Sequence, residues 1–406
     1  MKSVKFIKGG VCSAKGFRAA ATAAKIKYEG RDDVALLVVD HPCAAAGVFT
    51  TNKVAAAPVI YDRVIARGGK AQALLANSGC ANACTGEAGL KDAELSALVA
   101  AGELGISPKH VFVASTGVIG RRMPMGNLLS GVRAAAKKLG RTNRHAHAAA
   151  CAIMTTDTKP KEAAVTCVIG GKKVTVGGMV KGSGMIEPNM ATMLGFITTD
   201  AAATPAMLRR ALVLAVSKSF NRLVVDGDES TNDSLFLLAS GEAGNKIIDK
   251  SGDDFKVFVA ALQEVCISLT KQMASDGEGA TKFVTVTVKG AKSAADAERA
   301  ARAVAKSPLA KTSWFGRDPN WGRVIAAVGY SGAEMDAEKA EVFYDDVCAY
   351  SFGKVADEEC LKRLEAVMAA NSFTITVDLH LGRAEGTIYT CDFSLDYVHI
   401  NADYTT

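Results

Sequence analysis

The run Lys181-Gly182-Ser183-Gly184-Met185-Ile186-Glu187-Pro188-Asn189-Met190-Ala191-Thr192-Met193-Leu194 places a threonine where breaking one peptide bond would arm it. A threonine hydroxyl is a weak nucleophile at its ordinary pKa. If Ala191–Thr192 breaks, Thr192 gains a free amine whose reference pKa is roughly 7.7–8.0. That amine can act as general base for its own hydroxyl, so nucleophile and base sit on one residue without a histidine. Gly182 and Gly184 permit backbone geometries that other residues resist, and Pro188 biases Glu187 away from the helical region. The segment ahead of Ala191 can therefore be held strained, ready for the Thr192 hydroxyl to attack the Ala191 carbonyl and form an ester that water hydrolyses. The alternative is a glycine-bearing turn followed by a strand, with the hydroxyl satisfied by a backbone bond. Spacing alone favours that alternative.

Other constellations carry less chemistry. Cys80 and Cys84 have no second pair at zinc spacing, and His145 and His147, two apart, fall on different faces of a helix; no metal is expected. Gly177 to Ser183 lacks the Lys-[Ser/Thr] order of a phosphate loop. Asp226-Gly227-Asp228-Glu229-Ser230-Thr231-Asn232-Asp233 lacks the ligand spacing and distant glutamate of a calcium loop, and reads instead as a polar turn near the active site.

Composition sets the frame for these residues. The chain has 406 residues, 49% of them hydrophobic and 22% charged, which fits a large folded core and excludes wholesale disorder. The formal charge of +6 comes from dispersed residues, not the clustered basic footprint of a nucleic-acid binder. A small anionic substrate is compatible with it. No segment reaches the roughly 18–20 apolar residues of a membrane helix, and the glycine-rich start argues against a secretory signal, so a cytoplasmic location is expected. Ten scattered cysteines read as reduced and mostly buried.

Strands and helices alternate, which predicts layered α/β architecture. Asp92 to Leu104 carries Leu95, Leu98 and Val99 at helical spacing. His110 to Ser115 reads as a strand delivering Thr116 at its end, and Phe196 to Asp200 as another. Pro205 to Phe220 has the pattern of a helix opened by proline. A smaller α/β domain is expected over 282–406, after a core over 1–281. In it Phe283 to Val288 alternates as a strand, Ala294 to Ala305 and Asp357 to Asn371 read as helices, and Phe373 to Leu379 and Thr387 to Thr390 as closing strands.

The opening run is accompanied by Ser115-Thr116-Gly117-Val118-Ile119-Gly120, Thr155-Thr156-Asp157-Thr158, Asp276-Gly277-Glu278-Gly279-Ala280-Thr281-Lys282 and Asn401-Ala402-Asp403-Tyr404-Thr405-Thr406. Gly47 to Asn52, Asn77 to Ala83 and Asp318 to Arg323 add further segments. In this order, over nearly the whole chain, they closely resemble the bacterial ornithine acetyltransferase (glutamate N-acetyltransferase) family of arginine biosynthesis. The resemblance implies an αββα-type sandwich with a self-processing N-terminal nucleophile. It implies a precursor cut between Ala191 and Thr192 into an α chain of residues 1–191 and a β chain beginning at Thr192, assembled as an α2β2 heterotetramer. Thr192 would take acetyl from N-acetylornithine and pass it to glutamate, with no cofactor and with acetyl-CoA as a further possible donor. Thr116 and Gly117 would supply the oxyanion hole. Thr155, Lys181, Thr192, Glu278, Asn401 and Thr406 would bind substrate, Thr156 remaining a rival to Thr155. Ser183 and Met185-Ile186-Glu187 fall at variable positions, and Glu187 puts a charge near the cut that bears on its rate. An amidase or aminopeptidase of the same self-processing architecture is the alternative activity.

Overall fold

The structure is a computed structural model that describes residues 4–187 and 193–403. Among these residues the strands form two sheets, one of nine strands and one of six. The nine-stranded sheet turns on the long strand Val34–Phe49. Its first part pairs with Phe17–Thr22 and Lys70–Asn77, its last part pairs with Ser234–Ala239, and the register slips between Val38 and Cys43. That slip lets the sheet fold over, and its two halves face each other.

Side-chain alternation shows the layering. In Val34–Phe49, Leu36 and Val38 point to a core shared with the helices Gly86–Leu104 and Met125–Ala136, whereas Ala35, Leu37 and Val39 point inward. In Ser234–Ala239, Phe236 and Leu238 point inward, and Leu235 and Leu237 pack against the helices Pro205–Val216 and Asp253–Ser275. Strands buried on both faces follow from this period of two. Phe112, from the strand Val111–Ser115, meets Phe236 across the inner core with ring centroids 4.7 Å apart. The order of layers is therefore helix, sheet, sheet, helix. The two middle layers are halves of one continuous sheet rather than separate sheets.

Two sequence expectations shift in detail. In Gly86–Leu104 the buried face is Ala93, Ala97, Ala100 and Ala101, and Leu95 and Leu98 are exposed. Small residues let the helix axis approach the sheet closely, and that packing outweighs the leucine spacing. The helix from Pro205 ends at Val216, after which Phe220–Arg222 forms a short 3-10 turn. The remaining helices and strands fall within a few residues of their expected ranges, with Asp357 capping Glu358–Ala369 by accepting from the Cys360 N–H at 2.8 Å.

The second sheet begins with Phe283–Ala291, which pairs parallel with Ser372–Asp378 and antiparallel with Ala384–Cys391. The helix Ala294–Lys306 packs on it through Ala297, Ala300, Ala301 and Val304, in a core that includes Trp314 and Tyr344. No helix among the described residues is long and apolar enough to cross a membrane.

Candidate active site

Four strand ends meet at one rim of the sandwich. Val111–Ser115 finishes just before Thr116, and Lys172–Lys181 finishes on Lys181; Leu194–Thr199 and Ser234–Ala239 start there. A cavity of about 140 Å³ opens between them. Thr116, Gly117, Thr155, Lys181, Glu278 and Asn401, which are far apart in sequence, all line it. Met193 and Leu194, the residues that follow Thr192, line it as well. Ala191, Thr192 and Thr406 lie outside the described residues.

The Thr116–Gly117 corner is built by backbone. Thr116 N–H donates to Asn77 O at 3.0 Å, and Ala81 N–H donates to Val118 O at 3.0 Å, so the corner is stitched to the neighbouring loop on both sides. Between these bonds the Gly117 N–H has no acceptor among the described residues. Gly117 adopts φ +130°, and a Cβ there would lie 2.3 Å from Gly79 C and 2.6 Å from Cys80 N. Only glycine fits. Gly117→Ala is expected to force two backbones apart and to misplace a donor worth about 10²–10³ in turnover. Gly102→Ala, a helical glycine with open space around it, should leave turnover unchanged; equal rates for both variants would refute the prediction.

Lys181 is the charged centre of the cavity. Its Nζ donates to Thr155 Oγ1 at 2.8 Å and to Thr116 Oγ1 at 3.4 Å, and stands 4.0 Å from Asp157. Burial lowers its pKa, and the Asp157 carboxylate opposes the shift. Thr156 lines the cavity too, but its hydroxyl lies 2.7 Å from Ser183 Oγ, so of the two neighbouring threonines Thr155 is the one that meets the ammonium.

Beneath Lys181 lies a buried charge network that the sequence reading missed. Lys161 Nζ donates to Asp157 Oδ1 at 2.7 Å and to Asp276 Oδ2 at 2.5 Å, with all three side chains nearly inaccessible. Asp157 also accepts from the Gly182 N–H at 2.7 Å and the Thr155 N–H at 3.1 Å. Burial alone would raise the Asp157 carboxyl, but the Lys181 and Lys161 ammoniums and the Gly182 N–H outweigh it and hold it at about 2. One ionised carboxylate thereby fixes both the Thr155 loop and the end of the Lys181 strand.

The opposite wall is acidic. Glu278 hangs from a backbone bond of its N–H to Ser183 O at 2.9 Å, and its carboxylate accepts from Asn401 Nδ2 at 2.8 Å. The helix Leu395–Asp403 that carries Asn401 reaches the site because Gly279, at φ +65°, leaves room where a Cβ would lie 2.5 Å from Tyr397 N. The polar turn after Asp226 lines the cavity too. In it, Asn232 Nδ2 donates to Ala81 O at 2.6 Å and to Ser115 O at 2.8 Å, bracing the Thr116 corner. Burial raises the Asp226 carboxyl, although the Ile186, Asp228 and Met185 N–H groups donate to it.

Among the described residues one trio of metal-capable side chains converges: Glu341, Asp378 and His380, on the second sheet and outside the cavity. His380 has Nε2 2.7 Å from Glu341 and Nδ1 3.6 Å from Asp378, so both ring nitrogens face carboxylates. Cys80 is buried and Cys84 exposed.

A hydroxyl, an N–H with no acceptor among the described residues and a buried ammonium around one cavity are groups of the kind that enzymes use to stabilise a developing oxyanion. Residues 18–406 match the ArgJ family, and this chain belongs to it. A relative from Geobacter sulfurreducens, named arginine biosynthesis bifunctional protein ArgJ, is 50% identical over 97% of this chain and 99% of its own. One from Methanocaldococcus jannaschii, named glutamate N-acetyltransferase, is 45% identical over 99% of this chain and 100% of its own. The crystal structure of an arginine biosynthesis bifunctional protein ArgJ from Bacillus halodurans superposes with a TM-score of 0.51 at 39% identity, covering 52% of this chain and 100% of that one.

Proposed function

We propose that this protein is a self-processing acetyltransferase of arginine biosynthesis that moves acetyl from N-acetylornithine to glutamate through an acetyl ester on Thr192. The observation that carries this reading is the meeting of Thr116, Gly117, Thr155, Lys181, Glu278 and Asn401 at one cavity whose wall continues into Met193. Family membership and the names of the relatives support the same reaction. The solved Bacillus halodurans chain matches just over half of this one along its entire length, and residues 192–406 are likewise a little over half of 406.

The chemistry follows from the residues. The Thr192 hydroxyl attacks the acetyl carbonyl and its own amine takes the proton. Gly117 N–H and Thr116 OH donate to the oxygen as it gains charge. The tetrahedral intermediate collapses, the C–N bond breaks, and ornithine leaves with the proton. The glutamate amine then attacks the acetyl ester, releasing N-acetylglutamate and the free hydroxyl. Lys181 pairs with the substrate α-carboxylate, and Glu278 with the ornithine ammonium. Asn401 and, by the family resemblance, Thr406 bind substrate as well. No cofactor enters these steps, the protein works in the cytoplasm, and the fragments assemble as α2β2.

The test is denaturing mass spectrometry of purified protein with a transfer assay. Two fragments meeting at Ala191–Thr192, together with glutamate-dependent release of ornithine from N-acetylornithine, are expected. An intact chain with full activity would overturn the proposal. Acetate release at the same rate without glutamate would point to an amidase. Replacing N-acetylornithine by acetyl-CoA in the same assay decides whether the second activity implied by the relatives' bifunctional names extends to this chain.

A further inference from the structure

Glu187 stands four residues before Ala191, and its surroundings are built more firmly than a chain end requires. Its carboxylate lies 2.5 Å from Lys306 Nζ and 3.9 Å from Arg302 Nη1, and is mostly covered. Both cations belong to Ala294–Lys306, the helix that packs on the second sheet. Arg302 is itself held, donating to Asn221 O at 2.7 Å and to Glu298 at 3.1 Å. The adjoining backbone is pinned as well. Val225 N–H donates to Ile186 O at 2.8 Å, Glu187 N–H donates to Asp228 O at 2.9 Å, and the Met185 and Ile186 N–H groups donate to Asp226 at 2.5 and 2.7 Å. Ile186 is fully buried. On the far side of 188–192, Met193 O accepts from Ser234 N–H at 2.9 Å, and Leu194 pairs with both Lys181 and Ser234.

We infer that Glu187, gripped by Lys306 and Arg302, is a positioning residue for self-cleavage: it anchors the upstream side of the scissile segment to the second sheet's helix while the strand from Leu194 anchors the downstream side. The inference rests on the self-processing reading. In that reaction the Thr192 Oγ bonds to the Ala191 carbonyl carbon and the Ala191–Thr192 C–N bond breaks. The hydroxyl proton passes to the departing amine, and water hydrolyses the ester to the Ala191 carboxylate and the Thr192 hydroxyl. An intramolecular attack of this kind depends steeply on how closely its partners are held. A fixed anchor four residues away restricts the conformers the segment can sample. The reach of the clamp is electrostatic in part, so salt should loosen it.

The experiment follows precursor made by cell-free synthesis through time on denaturing gels. Glu187→Gln is expected to slow appearance of the fragments by about three- to tenfold, and Glu187→Lys by more, because it sets three cations together. The double variant Glu187→Lys with Lys306→Glu should recover part of the loss. Added salt should slow wild-type cleavage and leave Glu187→Gln unchanged. If wild type never cleaves, the self-processing reading itself fails. If wild type cleaves and Glu187→Gln keeps pace, or if the charge reversal brings no recovery, the clamp is refuted while self-processing stands. Equal unfolding midpoints for the uncleaved precursors of wild type and Glu187→Gln separate positioning from loss of fold.

Discussion

Thr192→Ala is expected to purify as a single chain of about 42.3 kDa and to transfer no acetyl group. The substitution removes the hydroxyl that in the proposed self-cleavage attacks the Ala191 carbonyl, so the bond should stay closed. It also removes the hydroxyl that would carry acetyl. Thr192→Ser separates the two losses from misfolding, since it keeps a hydroxyl and should still cut, with altered rate. Mass spectrometry reads the cut and ornithine release reads the transfer. Among the described residues, Lys181, Thr155, Thr116 and Glu278 are held by Asp157, Asn77, Ser183 and Asn401. Thr192→Ala should therefore still bind ornithine. Fragments in the alanine variant would show that another group makes the cut.

Lys161→Met is expected to be the most damaging change to stability near the site. It removes the cation that, among the described residues, directly bonds both Asp157 and Asp276. Removing one partner of a buried pair typically costs about 3–5 kcal/mol, because a buried charge is left uncompensated. The penalty depends on pH in a defined direction. In the native protein Asp157 is held at about 2, below the roughly 3.9 of an unfolded aspartate. Its contribution is therefore complete above about pH 4 and fades as pH falls toward 2. Without Lys161 the Asp157 carboxyl loses two of the interactions that hold it down and protonates at higher pH than in wild type, which relieves the uncompensated charge. The difference between variant and wild type in urea midpoint should be large at pH 7 and shrink near pH 4. A pH-independent difference would mean that lost packing, not charge, is responsible. Lys181 and Gly182 hang from the same Asp157, so the folded variant should also show a raised KM.

Some of this was legible in the sequence for identifiable reasons. Phe283 to Val288 alternates with period two because one face packs on the core with Ala300 and Val304, and local pattern suffices to see it. Thr116, Lys181 and Glu278 stood out because each lies in a segment shared with a recognisable family. Lys161 did not. An aspartate and a lysine four apart are ordinary in any chain, and only the tertiary fold, which brings Asp276 across 115 residues, makes them a buried triad. Asn232 lay in a stretch marked as a polar turn near the site, but its bonds to Ala81 and Ser115 join loops far apart in sequence. The doubling of one sheet over Val34–Phe49 was hidden likewise, since strand partners such as Gly47 and Phe236 are distant in sequence. Glu187 was visible only as an isolated charge, and its partners sit on the helix Ala294–Lys306.

Under the proposed self-cleavage, the continuous sheet has a consequence for the life of the protein afterwards. Pairings from Val176↔Thr199 to Lys181↔Leu194, and from Ala44↔Ala239 to Phe49↔Ser234, join residues on either side of the proposed cut. Once the bond is broken, the fragments are two molecules sharing one hydrogen-bonded ladder. Neither can leave without baring raw strand edges, which invite aggregation. Unfolding then releases two species, and refolding becomes a bimolecular encounter governed by concentration. A precursor would fold as one chain, whereas the proposed two-fragment enzyme would owe its durability to slow separation, a kinetic property set when it folded and not renewed afterwards.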